Sequence, residues 1–242
     1  EKFNKIKYFI LCGGKCGGST LRNSINVNVN CAHFHSNNVI GLKNVYKTLK
    51  DDINNKSINV YEMMIFNSKF HNNIYVIDSY RNPIERSISA FFQNISLLVK
   101  NYDKLDIHEL INIFNRKYFN SENYHPVDKM MFDMAIKPFT NFNFNKKINI
   151  KKFKNIYFIK IRFKDISSWG SILSEALGRK IIIKDENITE NKIISKLYKT
   201  FKINYKVPTE YLNRIMNDIE FNIYNDKKEK KEYYDYWIKK ST

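Results

Sequence analysis

Ile6–Ile25, IKYFILCGGKCGGSTLRNSI, is an apolar run that meets a glycine-rich turn and then opens into a helix-like segment. Four of the chain's seven glycines, Gly13, Gly14, Gly17 and Gly18, fall within six residues of it. Tyr8–Leu11 reads as a strand that delivers the chain into the loop. The glycines let backbone N–H groups turn inward, and Ser19 and Thr20 begin a helix whose positive end faces the same point. That is how a phosphate cradle is written. The usual nucleotide version is G-x-x-x-x-G-K-[ST]; Gly13 to Gly18 keeps the spacing, but Ser19 stands where the lysine belongs, and the lysine lies inside the loop as Lys15. The plainer alternative is a glycine-rich turn with no ligand, and four clustered glycines in a glycine-poor chain argue against it.

A second segment has the same strand-then-helix form. Asn73–Tyr80, NIYVIDSY, reads as a buried strand and runs into RNPIERSISAFFQ, with Pro83 at the first helical turn and Ile84, Ile88, Phe91 and Phe92 at helical spacing. Arg81 sits at the strand's end and Ser89 two turns further on. Arginine can grip a phosphate with two parallel hydrogen bonds, and a serine hydroxyl can add a third. Alone, an Arg-Asn-Pro helix start is commonly structural.

Together the two segments resemble the paired signature of sulfotransferases that use 3′-phosphoadenylyl sulfate (PAPS), in which a lysine-bearing loop holds the 5′-phosphosulfate and an Arg-[Asn/Asp]-Pro element, with a serine eight residues after the arginine, holds the 3′-phosphate. Here these are GKCGGSTL (Gly14–Leu21) and Arg81 with Ser89. Within that superfamily the chain is most similar to capsular polysaccharide synthesis proteins. CAHFHS (Cys31–Ser36), RNPIERSISAFFQ, MFD (Met131–Asp133), RFKDI (Arg162–Ile166) and KVPTEYL (Lys206–Leu212) carry the likeness over most of the chain. Two departures fall on the acceptor side: no tryptophan precedes Phe132, and Phe163-Lys164 stands where a glutamate is expected before Asp165.

The resemblance implies PAPS as sulfate donor, adenosine 3′,5′-bisphosphate as product, a carbohydrate hydroxyl as acceptor and no metal. It assigns Gly14, Lys15, Cys16, Gly17, Gly18, Ser19, Thr20, Leu21, Arg81, Ser89 and Arg162 to cofactor binding. A small phenolic, lipid or peptide acceptor stays open, and Glu62–His71 and Tyr102–Asn145 are the stretches expected to form acceptor loops.

At 242 residues, with no Pro/Gly/Ser-rich linker, the chain reads as a single domain. Strand-like runs at Tyr8–Cys12, Cys31–His35, Ile74–Asp78 and Ile156–Ile161 alternate with helical stretches near Thr20–Asn26, Ile84–Lys100, Ile107–Lys117 and Ser167–Leu177. That alternation argues an α/β fold with a parallel sheet and its ligand at the carboxyl ends of the strands. With the resemblance, the expected fold is a P-loop-like three-layer one, a central parallel sheet flanked by helices, with a helical C-terminal third from Ile188 to Lys240.

Lys+Arg 41 against Asp+Glu 24 gives a net charge of +17, a field that draws in PAPS and acidic glycans and raises the question of nucleic acid. Much of the excess is lysine scattered through an Asn-, Ile- and Lys-rich background, a solvated surface with no specific nucleic-acid signature. The three cysteines, Cys12, Cys16 and Cys31, suggest neither a disulfide framework nor a zinc set. No secretory or transmembrane segment is visible, which reads as a soluble or cytoplasmic protein; an opening at Glu1 leaves room for a removed leader or anchor.

Sulfuryl transfer needs in-line placement, charge neutralisation at the leaving oxygen and removal of the acceptor's proton. Lys15 is assigned to the leaving phosphate. For the base, Cys31, His33 and His35 share one strand face by alternation, with His35 nearest the ligand-facing end. His125, Asp133 and Glu62 remain alternatives, whereas His71 falls at the wrong end of the sheet and His108 has no partner motif. Arg162 closes a strand at the carboxyl edge, and an ion pair with Asp165 is an equally good account of it. Tyr198, Lys199 and Lys202 form a basic-aromatic helical face that reads first as surface. Two further functions compete: a P-loop kinase or NTPase, with Asp78 as its magnesium carboxylate, and a non-enzymatic basic module for nucleic acid or acidic glycans.

Overall fold

The computed structural model describes residues 5–25, 30–35, 59–118, 126–184 and 194–240. They group into two compact units, Glu1–Arg81 with Tyr124–Glu186, and Asn82–Asn123 with Asn187–Thr242.

The first unit is built on a five-stranded sheet of order β2-β1-β3-β5-β4, from β1 (Tyr8–Leu11), β2 (Cys31–Phe34), β3 (Ile74–Tyr80), β4 (Ile148–Phe153) and β5 (Ile156–Arg162). β2, β1, β3 and β5 run parallel, so the ends of these four strands share one edge. β4 is the exception to the expected parallel sheet: it pairs antiparallel with β5, Ile148 opposite Ile161. Only a short turn joins the two, and a parallel pair would need a long crossover. β3 is buried at all seven positions, Asp78 and Ser79 included, as befits a central strand covered on both faces.

Helices cover both faces. α1 (Gly18–Ile25) and α7 (Trp169–Leu177) place Leu21, Ile25, Trp169 and Leu173 against Tyr8, Ile10, Tyr75, Ile77 and Ile159. On the other face α2 (Val60–Ser68) and α6 (Pro126–Asp133) place Met63, Met64, Met130 and Met131 against Phe9, Leu11, Val76 and Phe158. Of the stretches expected to form acceptor loops, Glu62–His71 contains most of α2 and Tyr102–Asn145 contains α6. α2 carries its own start signal, a capping box in which Asn59 Oδ1 accepts from Glu62 N and Glu62 Oε2 accepts from Asn59 N. Glu62, an alternative base, is therefore an exposed helix cap.

The second unit is helical: α3 (Pro83–Gln93), α4 (Ile95–Leu98), α5 (Ile107–Tyr118), α8 (Ser195–Asn204), α9 (Thr209–Met216), α10 (Ile219–Tyr224) and α11 (Lys227–Ile238). Phe91, Phe92, Phe114, Phe201, Tyr205 and Trp237 form its aromatic centre, and Glu85 accepts from Tyr233 Oη and Trp237 Nε1. The helix foreseen across Ile84–Lys100 breaks at Asn94, between α3 and α4.

One buried charge cluster ties the first unit together. Lys160, opposite Asp78 in the β3–β5 register and fully buried, donates to Asp78 Oδ2 at 2.6 Å and to Asp128 Oδ2 of α6 at 2.9 Å. Asp78 Oδ1 accepts from Ser79 N at 2.7 Å. Removing the ammonium strands two carboxylates in a low-dielectric interior, a change worth about 3–5 kcal/mol. Lys160→Met is therefore expected to lower unfolding free energy by about that much in urea titrations, and adding Asp78→Asn and Asp128→Asn to recover part of it; a loss under about 1 kcal/mol would contradict this role.

Candidate active site

β1 ends at Leu11, and the glycine-rich loop begins at the shared carboxyl edge. Lys15 and Gly17 both take positive φ, 68° and 84°. Glycine adopts that region freely, whereas lysine does so at a cost that local contacts must offset. One such contact is made by Arg81, whose Nη1 donates to Lys15 O at 2.8 Å. The guanidinium also lies 4.4 Å from the centroid of the Phe163 ring. Arg81 thus braces the turn that presents Lys15.

The two glycines at the start of α1 are held by sterics. A Cβ at Gly18 would lie 2.1 Å from His33 Nε2 and 2.7 Å from Cys12 Sγ. One at Gly17 would lie 2.7 Å from Trp169 Cη2 and 3.1 Å from the Phe163 ring. Phe163 and Trp169 meet edge to face at 6.0 Å, and Trp169 Nε1 donates to Arg162 O at 2.9 Å. β2 and the segment after β5 therefore clamp the loop from two sides. The first bond within α1 runs from Leu21 N to Gly17 O, so the amides of Gly18, Ser19 and Thr20 precede the first intrahelical i to i−4 bond. Gly14 and Ser19 are exposed, Lys15 is partly exposed, and Cys16, Thr20 and Leu21 are buried.

The two histidines have separate roles. His33 packs beneath Gly18, its Nε2 3.9 Å from Cys12 Sγ. Burial pushes its pKa down to about 3, with smaller contributions from His35 and Arg22. His35 is exposed, and its Nδ1 lies 3.2 Å from Cys12 O. A carbonyl only accepts, so Nδ1 bears the proton and Nε2 of the neutral ring carries the lone pair. The rings meet edge to face at 4.5 Å. His35 therefore has the geometry of a base, and His33 that of a packing residue.

Arg162 forms a two-point ion pair with Asp165, Nε to Oδ2 at 2.7 Å and Nη2 to Oδ1 at 3.2 Å, with Phe142 and Phe144 against its guanidinium. At 3% exposure it has the ion-pair role the sequence left open. Ser89 lies buried on α3 in the second unit, as does Tyr198 on α8, with Lys202 against the Tyr198 ring. Asp133 is exposed and pairs with Lys129, and His125 lies outside the described residues. His71 falls at the amino end of β3, where its carbonyl accepts from Asn155 Nδ2. Cys12, Cys16 and Cys31 form no disulfide, and burial raises the Cys12 and Cys31 thiols, Cys31 to about 12. No cluster of three or more His, Cys, Asp or Glu suited to a metal occurs among the described residues, and no helix among them is long and apolar enough to cross a membrane.

Two outcomes follow from this packing. Gly18→Ala should lower the melting temperature markedly, and His33→Ala in the same chain should restore part of the loss because it removes the nearest clash; equal or additive losses would contradict the contact. The pH dependence of His33 has a definite sign. Its folded pKa of about 3 lies below the ordinary 6.5, so between those values the unfolded chain binds the extra proton and stability falls as pH drops below 6.5. Melting temperatures from pH 7 to 4 should decline less steeply in His33→Asn than in the wild type. Comparison with family models, curated proteins and solved structures finds no match to the chain.

Proposed function

We propose that the protein is a PAPS-dependent sulfotransferase on a P-loop-like scaffold, acting on a carbohydrate hydroxyl. The observation that carries this reading is the loop itself: a glycine-clamped turn at the carboxyl edge of a mainly parallel sheet, with Arg81 on the Lys15 carbonyl and His35 on the Cys12 carbonyl. Its donors are helix-start amides, the Ser19 and Thr20 hydroxyls and one lysine, a set that suits a phosphosulfate.

Lys15 neutralises the leaving phosphate, and the amides from Gly14 to Thr20 with the Ser19 and Thr20 hydroxyls hold the sulfonate and 5′-phosphate oxygens. PAPS, when bound, supplies the activated sulfuryl group. Arg81 carries the charge that suits a 3′-phosphate, beside its hold on the loop. His35 Nε2 takes the acceptor's proton while Nδ1–H stays on the Cys12 carbonyl, which fixes tautomer and ring direction together. His33 stays neutral and supports Gly18. The kinase reading loses its strongest residue, since Asp78 is 1% exposed and salt-bridged to Lys160.

The test is to incubate the protein with PAPS and a panel of glycans and small alcohols and follow release of adenosine 3′,5′-bisphosphate. Acceptor-dependent release is expected, and His35→Ala should lower turnover roughly 10²–10⁴-fold with little change in melting temperature. Magnesium-dependent ATP turnover without sulfuryl transfer would contradict the proposal, and turnover surviving His35→Ala within about tenfold would move the base elsewhere.

A further inference from the structure

Between Asp133 and Asp165 the chain carries no carboxylate and nine basic residues, of which Lys160 and Arg162 are buried in ion pairs. This stretch forms β4, β5 and the segment before them, and it holds a groove of about 610 Å³ lined by residues 139–143, Lys146 and the first half of β4. Thr140, Asn141, Asn143 and Lys146 are exposed there. The wall is braced from within: Asn143 N donates to Asn149 Oδ1 at 2.9 Å, Asn149 Nδ2 donates to Asn141 O, and Lys151 Nζ donates to Lys137 O and Pro138 O.

The antiparallel register gives the groove its place. Ile148 lies opposite Ile161, so the chain entering β4 stands at the carboxyl end of β5, the same sheet edge as the glycine-rich loop. In the order β1-β3-β5-β4 the groove is three strand spacings from that loop, about 14 Å along the edge. An extended ligand could occupy both.

We propose that this groove is an acceptor subsite for an acidic oligosaccharide, one bearing a carboxylate or sulfate on its repeating unit. This rests on the sulfotransferase reading and names its acceptor class. Hydroxyl and amide groups of Thr140, Asn141 and Asn143 match a polyhydroxylated ligand, and Lys146 and Lys151 in the lining match its charge. A single-stranded nucleic acid fits less well, because it needs exposed aromatic faces for stacking, and the groove's rings are committed. Phe139 and Phe142 are 9% and 5% exposed, and Phe142 lies against Arg162.

The test is direct binding to the full chain without PAPS, so that it is read apart from turnover. The probes are an oligogalacturonate hexamer, a heparin-derived hexasaccharide, maltohexaose and an oligothymidylate of matched charge. Both acidic hexamers should bind in a salt-sensitive manner, maltohexaose should bind at least tenfold more weakly, and the oligothymidylate should compete poorly. Lys146→Glu, at an exposed position, should weaken the acidic hexamers about tenfold, and Asn141→Ala should weaken them with unchanged salt dependence. A stronger effect on one acidic hexamer identifies the preferred anion. The proposal is overturned by equal binding of maltohexaose, by equal competition from the oligothymidylate, by no acidic binding at all, or by Lys146→Glu leaving affinity unchanged. Loss of sulfuryl transfer with acidic binding intact would remove the enzymatic reading and leave a glycan-binding groove.

Discussion

Two missing Cβ atoms set the geometry on which the proposed site depends. At Gly18 the space that a side chain would fill belongs to His33 Nε2, and at Gly17 it belongs to Trp169 and Phe163. The strand after the loop and the segment after β5 therefore both close on the same turn, and α1 can begin only where they allow it. Packing at this density leaves the turn little freedom to rearrange, so its amides are pre-oriented before any ligand arrives. A cradle that is already shaped does not have to order itself on binding.

Charge is arranged around that clamp in two ways. On the face bearing α1, Arg81 links the end of β3 to the Lys15 carbonyl and rests on Phe163, the ring that also confines Gly17. On the other face, Lys160 gathers Asp78 and Asp128 about an internal cation. Arg162 is likewise committed to Asp165. Lys160 and Arg162 are thus held by carboxylates, whereas Arg81 is held by a backbone carbonyl and a ring.

The sequence was most readable where the signal was local. The Gly13–Gly18 spacing, the apolar run of β3 and the Pro83 helix start each name their element from neighbours in the chain, and the strands and helices formed there within a residue or two. β4 was passed over because INIKKF mixes lysines with apolar residues and so imitates a loop; as an edge strand it needs only one buried side. α2 was missed although Asn59 and Glu62 carry a capping box, since VYEMMIFNS spreads apolar residues around the helix and masks the helical period. His33 beneath Gly18 and Lys160 between two aspartates are contacts across many residues, and pattern alone could not pair them. A lysine in IYFIKIR and an aspartate in IYVIDSY were the available hint, opposite charges in two otherwise apolar strands.

What the glycine-rich loop and Arg81 bind decides the proposed function. Calorimetric titration of the full chain with adenosine 3′,5′-bisphosphate, adenosine 5′-phosphate and ATP with magnesium measures this most directly. The account predicts that the bisphosphate binds tightest, about 10–100-fold better than adenosine 5′-phosphate, the discrimination expected from a charge-assisted contact worth about 1.5–3 kcal/mol. Equal affinity for the two adenosine phosphates, or tighter binding of ATP with magnesium, would contradict it.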